Sequence, residues 1–217
     1  WLLRFREGDL DAKERAAYQG LFRDRAVHKR YEAIAPAADL DALAAQGAGL
    51  GSWSALGESL LAPVAGGAWP KAQAVPATPP ASDQAARDGS ASTAWCYRSR
   101  LESHAHFFTM HEVAGEANCE THLQCLARDA SGWARYALVP HTGRRHQLRA
   151  HLSALGLPLR HDPYYPQVSR GAQDADDWQH PLQLLARELG FVDPITGDTR
   201  RFVSRLHLDW PPTASQA

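Results

Sequence analysis

The sequence predicts an α+β domain built on a mixed or antiparallel β-sheet with flanking helices. Three observations lead there. Strand-like runs recur at 121–127, 133–139, 183–192 and 200–206. Two segments with helical periodicity and their own start or stop signals, at 11–22 and 146–155, stand among them. The connections at 128–132 and 193–198 have turn composition, so the strands they join read as antiparallel neighbours.

Taken in order, the first element is a helix. Asp11 with Glu14 three residues on makes a capping box, and Tyr18, Leu21 and Phe22 form one apolar stripe. The basic cluster Arg23, Arg25, His28, Lys29 and Arg30 leads into a short strand in which Tyr31, Ala33 and Ala35 share a face. Residues 36–93 are dominated by Ala, Gly, Pro and Ser. Asp39 to Ala45 can form a short helix there, but the segment as a whole reads as a flexible insertion. Order returns at Trp95, with a strand expected over 106–113 before the hairpin of 121–139, which Pro140 ends. The helix from His146 to Leu155 is closed by Gly156 and Pro158, and its Leu148, Leu152 and Leu155 form the buried stripe. The expected organisation is 1–35 and 94–212 as parts of one domain, 36–93 inserted, and 213–217 a disordered tail.

Composition excludes several classes. Twenty-three Lys+Arg against 24 Asp+Glu leave a net charge of −1, so bulk charge names no partner. Three cysteines are too few and odd in number for a disulfide framework. No apolar run approaches the ~20 residues that span a bilayer, and the start does not resemble a signal peptide. A soluble, cytoplasmic protein with no membrane partner is expected.

Charge is nevertheless uneven. Between Asp129 and Asp162 there is no acid, while Arg135, Arg144, Arg145, Arg149 and Arg160 fall in that window with His141, His146, His151 and His161. Arg145 and Arg149 would flank the helix one turn apart, with Thr142 and Gly143 at its positive end. That is a site for phosphate, or an ordinary solvated basic face. A metal is less well served. Cys119, His122 and Cys125 have ligand-like spacing, but on a strand the histidine faces away from both cysteines. His141, His146 and His151 are five residues apart and share no helical face.

The run Pro140-His141-Thr142-Gly143-Arg144-Arg145-His146-Gln147-Leu148-Arg149-Ala150-His151-Leu152 resembles the T-G-R-x-H-Q-[IL]-R-x-H-[LM] motif of the RluA/RsuA-type pseudouridine synthases, closest to their RluA-like branch. Leu155-Gly156-Leu157-Pro158-Leu159-Arg160-His161-Asp162-Pro163-Tyr164-Tyr165 is similar to the family's L-G-x-P-[IL]-x-G-D-x-x-Y, with His161 in place of the usual Gly. Upstream, Phe22-Arg23-Asp24-Arg25-Ala26-Val27-His28-Lys29-Arg30-Tyr31 resembles F-[RK]-x-R-x-V-x-K-x-Y. Downstream, Leu184-Leu185-Ala186 and Asp193-Pro194-Ile195-Thr196-Gly197 resemble L-H-A and H-P-x-T-G.

The resemblance implies a pseudouridine synthase-like catalytic domain that isomerises uridine in structured ribosomal or transfer RNA, without metal or organic cofactor. It implies that Tyr31 packs on the flipped base and relays the C5 proton. It implies that Arg149 pairs with the catalytic carboxylate, that Lys29, Arg30, Arg144 and Arg145 meet RNA, and that His146 and Gln147 brace the loop as much as they touch RNA. The nucleophilic Asp of the family lies in an H-R-[LI]-D block, and no such block occurs between Trp1 and Ala217. The expectation is therefore a sequence that begins just past its nucleophile and is inactive alone. The alternative is a non-catalytic RNA-binding or decayed relative.

Overall fold

The computed structural model describes residues 11–57, 59–61, 92–104, 108–171, 174–175 and 177–211. Residues 1–10, the greater part of the 36–93 segment, His106 and the 213–217 tail lie outside the described residues. Helix α1 (Ala12–Arg23) starts on the predicted capping box. The Asp11 carboxylate accepts from the Glu14 amide at 2.8 Å, and the Glu14 carboxylate accepts from the Asp11 amide at 3.0 Å. Tyr18 is buried against the Phe191 ring, whereas Phe22, expected on the same stripe, is 53% exposed and lies beneath the Lys29 ammonium.

Strands β1 (His28–Pro36), β2 (Ser52–Leu56), β3 (Ala94–Ser103), β4 (Met110–Val113), β5 (Cys119–Arg128), β6 (Trp133–Pro140), β7 (Leu184–Val192) and β8 (Thr199–Val203) form one sheet. Its order is β2-β3-β5-β6-β1-β7-β8, with β4 on the far end of β3. All the described pairings are antiparallel. The predicted hairpin is β5–β6, closed by the Asp129 side chain, which accepts from the amides of Ser131 and Trp133. Helix α2 (Leu40–Ala45) is capped by Asp39, and β2 pairs with β3. The first part of the segment read as an insertion is thus built into the sheet. The sequence reading contains neither β2 nor β3, because β2 is five residues long inside an Ala-, Gly-, Pro- and Ser-rich stretch and charged or small residues interrupt the apolar positions of β3.

Helix α3 (Gln147–Ala154) lies on one face of this sheet. Its Leu148 and Leu152, with Leu155, meet Ala33, Leu123, Tyr136 and Leu138 in the main core. Gly156 takes φ +75° after the helix, the left-handed conformation the C-terminal stop requires. Arg145, expected on the helix flank, instead precedes the helix in a turn and is exposed.

The histidine of α3 that faces the sheet, His151, is 1% exposed. Its Nδ1 is 2.9 Å from Thr121 Oγ1, and its Nε2 lies 3.0 Å from Cys119 Sγ and 3.1 Å from Ser99 Oγ. Burial pushes its pKa down to about 4. The unfolded chain takes up a proton near pH 6.5 that the folded chain refuses until about pH 4. Stability is therefore full above that window and lost as pH falls through it, by on the order of 3 kcal/mol. Urea unfolding followed across this window should show the decline in the wild type and a flatter profile in His151→Gln. An equal decline in both would assign it to other groups.

Candidate active site

The predicted T-G-R-x-H-Q segment is a loop pinned from below rather than a row of open donors. Thr142 Oγ1 accepts from the Glu120 amide at 2.9 Å and donates to Gln147 Oε1 at 2.7 Å. The same Gln147 oxygen accepts from the Arg144 amide at 3.1 Å, and Gln147 Nε2 donates to Glu120 O and Thr121 Oγ1. Gln147 is 3% exposed, so of its two expected roles the brace is the one this geometry displays. It holds the loop from inside. Arg144 and Arg145 are exposed on the loop's outer side.

Arg149 projects from α3 toward the segment that follows the helix. Its Nε donates to Asp162 Oδ2 at 2.8 Å and its second nitrogen to Oδ1 at 2.5 Å, a bidentate pair with the arginine side chain 13% and the aspartate 0% exposed. Asp162 Oδ1 also accepts from the amides of Tyr164 and Tyr165 at 2.9 and 3.2 Å. The guanidinium lies 5.0 and 5.2 Å from the centres of the Tyr164 and Tyr165 rings. The turn before Asp162 is left-handed at His161, φ +60°, so the histidine adopts a conformation that Gly takes without strain. Sequence reasoning placed Asp162 in a motif but did not pair it with Arg149. Their separation of 13 residues offered no helical spacing to suggest it.

His146 also has positive φ, +52°, and its Nδ1 is 3.2 Å from the Tyr165 hydroxyl. Burial, then Arg149 and Arg145, lower its pKa, so at neutral pH it offers hydrogen bonds but no charge to a phosphate. Phe108, 36% exposed, stands edge-on to Tyr164 at 4.8 Å and His146 at 5.6 Å. An aromatic group of this kind can stack a nucleobase. Its phenylalanine carried no motif.

Tyr31, in the middle of β1, pairs with Leu138 and Ala186 and packs half-buried against the core beneath α3. It therefore sits on the same side of the sheet as α3. Burial raises its pKa, keeping the hydroxyl protonated. Lys29, whose pKa burial lowers, lines a cavity of about 650 Å³ with Arg25, His28, His141, Thr142 and Gly143.

Arg30, expected at a phosphate, is held in ion pairs within the fold. It is 15% exposed and pairs with Glu32 at 3.3 Å and Glu188 at 3.2 Å. Arg187 completes Glu32 at 3.0 Å and Arg201 completes Glu188 at 2.7 Å. A guanidinium shared between two carboxylates inside such a network has its charge answered within the fold, which speaks against Arg30 as a phosphate contact. Arg160 is likewise buried, paired with Asp209 and lying over the Trp133 ring. The basic window in the sequence is accordingly less basic at the surface than its residue count suggests. The alternation expected at Cys119-His122-Cys125 is present: Cys119 Sγ faces His151, while His122 pairs with Glu120 on the other side. Among the described residues no helix is long and apolar enough to cross a membrane.

A family model described as RNA pseudouridylate synthase matches residues 11–154. The "Dual-specificity RNA pseudouridine synthase RluA" of Haemophilus influenzae is 40% identical over 82 residues, 38% of this chain and 35% of that protein. Its Yersinia pestis counterpart is 35% identical over 85 residues, 39% of each. The chain thus spans little more than a third of the length of these relatives. Among solved structures, "Human RNA Pseudouridylate Synthase Domain Containing 1" superposes with a TM-score of 0.52 at 19% identity, covering 90% of this chain and 61% of that one, which is a likeness of fold.

Proposed function

The chain belongs to the RNA pseudouridylate synthase family, and from that premise we propose that it isomerises specific uridines to pseudouridine in structured RNA, ribosomal or transfer. The observation that carries the proposal is the match over 11–154, because that span holds both Tyr31 and Arg149. The reaction breaks the C1′–N1 bond, turns the base and rejoins it through C5. N1 ends with a proton and C5 loses one, so the balance is redox-neutral.

In this reading each residue has one task. The target uridine leaves its stack, at a cost of roughly a few kcal/mol, and packs on the Tyr31 ring. A protonated phenol accepts the C5 proton only as it passes its own onward, so Tyr31 acts as a relay. Arg149 is held by Asp162 along one edge. A guanidinium has five donors, and its other edge is proposed to hold the nucleophilic aspartate ionised at the sugar. That aspartate is proposed to be supplied from ahead of Trp1. Arg144, Arg145 and Lys29 are the phosphate contacts, and His146 with Phe108 supports the flipped base.

The test is release of tritium from C5-tritiated uridine in ribosomal and transfer RNA by the protein extended upstream of Trp1. Release that requires an Asp in the upstream segment supports the assignment. Salt-sensitive RNA binding without release would leave a binding protein of the same fold. For the contacts, Arg145→Ala is expected to weaken RNA binding across sequences and to lower the slope of log Kd against log salt by about one. An unchanged slope would remove Arg145 from the phosphate contacts.

A further inference from the structure

We propose that Cys96, Glu120 and His122 form a binding site for a borderline divalent transition ion, zinc being the redox-inert case, on the sheet face opposite α3. Cys96 in β3 and His122 in β5 are register partners, so their side chains leave the sheet side by side. Glu120, two residues before His122, leaves by the same face. One potential ligand atom from each of the three lies within 4.8 Å of the other two. Bonds of about 2.0–2.3 Å in a tetrahedral zinc site set ligand atoms roughly 3.3–3.8 Å apart. Binding would draw the ligand atoms together by at most about 1.5 Å.

The surroundings match what such an ion requires. His122 Nε2 is 2.8 Å from Glu120 Oε1, and the other carboxylate oxygen accepts from Arg98 Nε at 2.7 Å. The carboxylate is thus already oriented by a partner outside the ligand set. The ring of His141 lies 3.8 Å from that of His122, tilted by 38°, which puts a second imidazole beside the three for a fourth position. The cavity of about 650 Å³ reaches the cluster through Glu120 and His141 and provides a path from solvent. Thiolate, imidazole and carboxylate together select a zinc-like ion over magnesium or calcium, which take oxygen ligands. Binding displaces the thiol proton to solvent and changes no oxidation state.

The consequence is mechanical. The Glu120 amide donates to Thr142, and the Glu120 carbonyl accepts from the His141 amide at 3.0 Å and from Gln147 Nε2 at 2.8 Å. An ion fixed on Glu120 and His122 would therefore brace the loop that presents Arg144 and Arg145. Ion binding itself does not depend on the uridine chemistry, and its test is separate.

That test is titration of the metal-free chain with Co²⁺, read by the thiolate-to-cobalt charge-transfer band and the d–d bands of tetrahedral cobalt. One ion per chain is expected, displaced by Zn²⁺. The charge-transfer band should vanish in Cys96→Ser and persist in Cys125→Ser. His122→Gln should weaken binding at least about 100-fold and Arg98→Ala, at the surface, by roughly 10–100-fold. Zn²⁺ should raise the thermal midpoint of the wild type and leave that of His122→Gln unchanged. Absence of saturable binding, or a charge-transfer band that survives Cys96→Ser, overturns the proposal. If Cys96→Ser does not fold, undiminished affinity in both His122→Gln and Arg98→Ala overturns it equally.

Discussion

Asp162→Ala is expected to destabilise the domain by about 3–5 kcal/mol, the cost of stranding the partner of a buried pair. The Asp162 side chain is fully buried, and four interactions end on it: two from Arg149 and the amides of Tyr164 and Tyr165. Removing the carboxylate leaves a guanidinium at 13% exposure whose charge, among the described residues, faces two tyrosine rings. The double variant Asp162→Ala/Arg149→Met should recover a large part of the loss, since it removes both charges together. Urea unfolding of the two variants measures this. A loss under about 1 kcal/mol in Asp162→Ala would place the pair with exposed ion pairs and take away its organising role.

Tyr31→Phe, in the protein extended upstream of Trp1, is expected to lower the rate of pseudouridine formation by about 10²–10⁴-fold, the range for loss of a positioned proton-transfer group. The ring remains, and so does its packing beneath α3, so RNA affinity and the unfolding midpoint should stay close to the wild type. Single-turnover tritium release separates this from a binding defect. A wild-type rate in Tyr31→Phe would leave the residue a packing role and pass the C5 proton to another acceptor. Because burial holds the phenol protonated, raising the pH within the range the protein tolerates should not substitute for the missing hydroxyl.

Both arguments rest on a motif legible in the residue order and on contacts that were not. The T-G-R-x-H-Q-[IL]-R-x-H pattern marked the loop, α3 and Arg149 together, and the helix stop at Gly156 lies where the pattern puts it. Gln147 carried the motif's signal yet proved to be internal, since a motif marks structural braces as strongly as ligand contacts. The ion pairs of Arg30 were hidden for a different reason. Its neighbours His28 and Lys29 made a basic cluster, while the carboxylate of Glu188 that claims it lies 158 residues away and meets it only because β1 pairs with β7.

The same division runs through the whole molecule. Capping boxes, turn composition and apolar periodicity are properties of a few consecutive residues, so the order of residues alone was enough for α1, α2, α3, the β5–β6 and β7–β8 hairpins and the α+β class. Exposure and pairing are not local. Whether an arginine is a phosphate contact or half of a buried pair, and whether a cysteine meets His122 or His151, depends on strand register and on which sheet face a helix covers. Those are set by packing between segments far apart in the chain, and only the folded structure decides them.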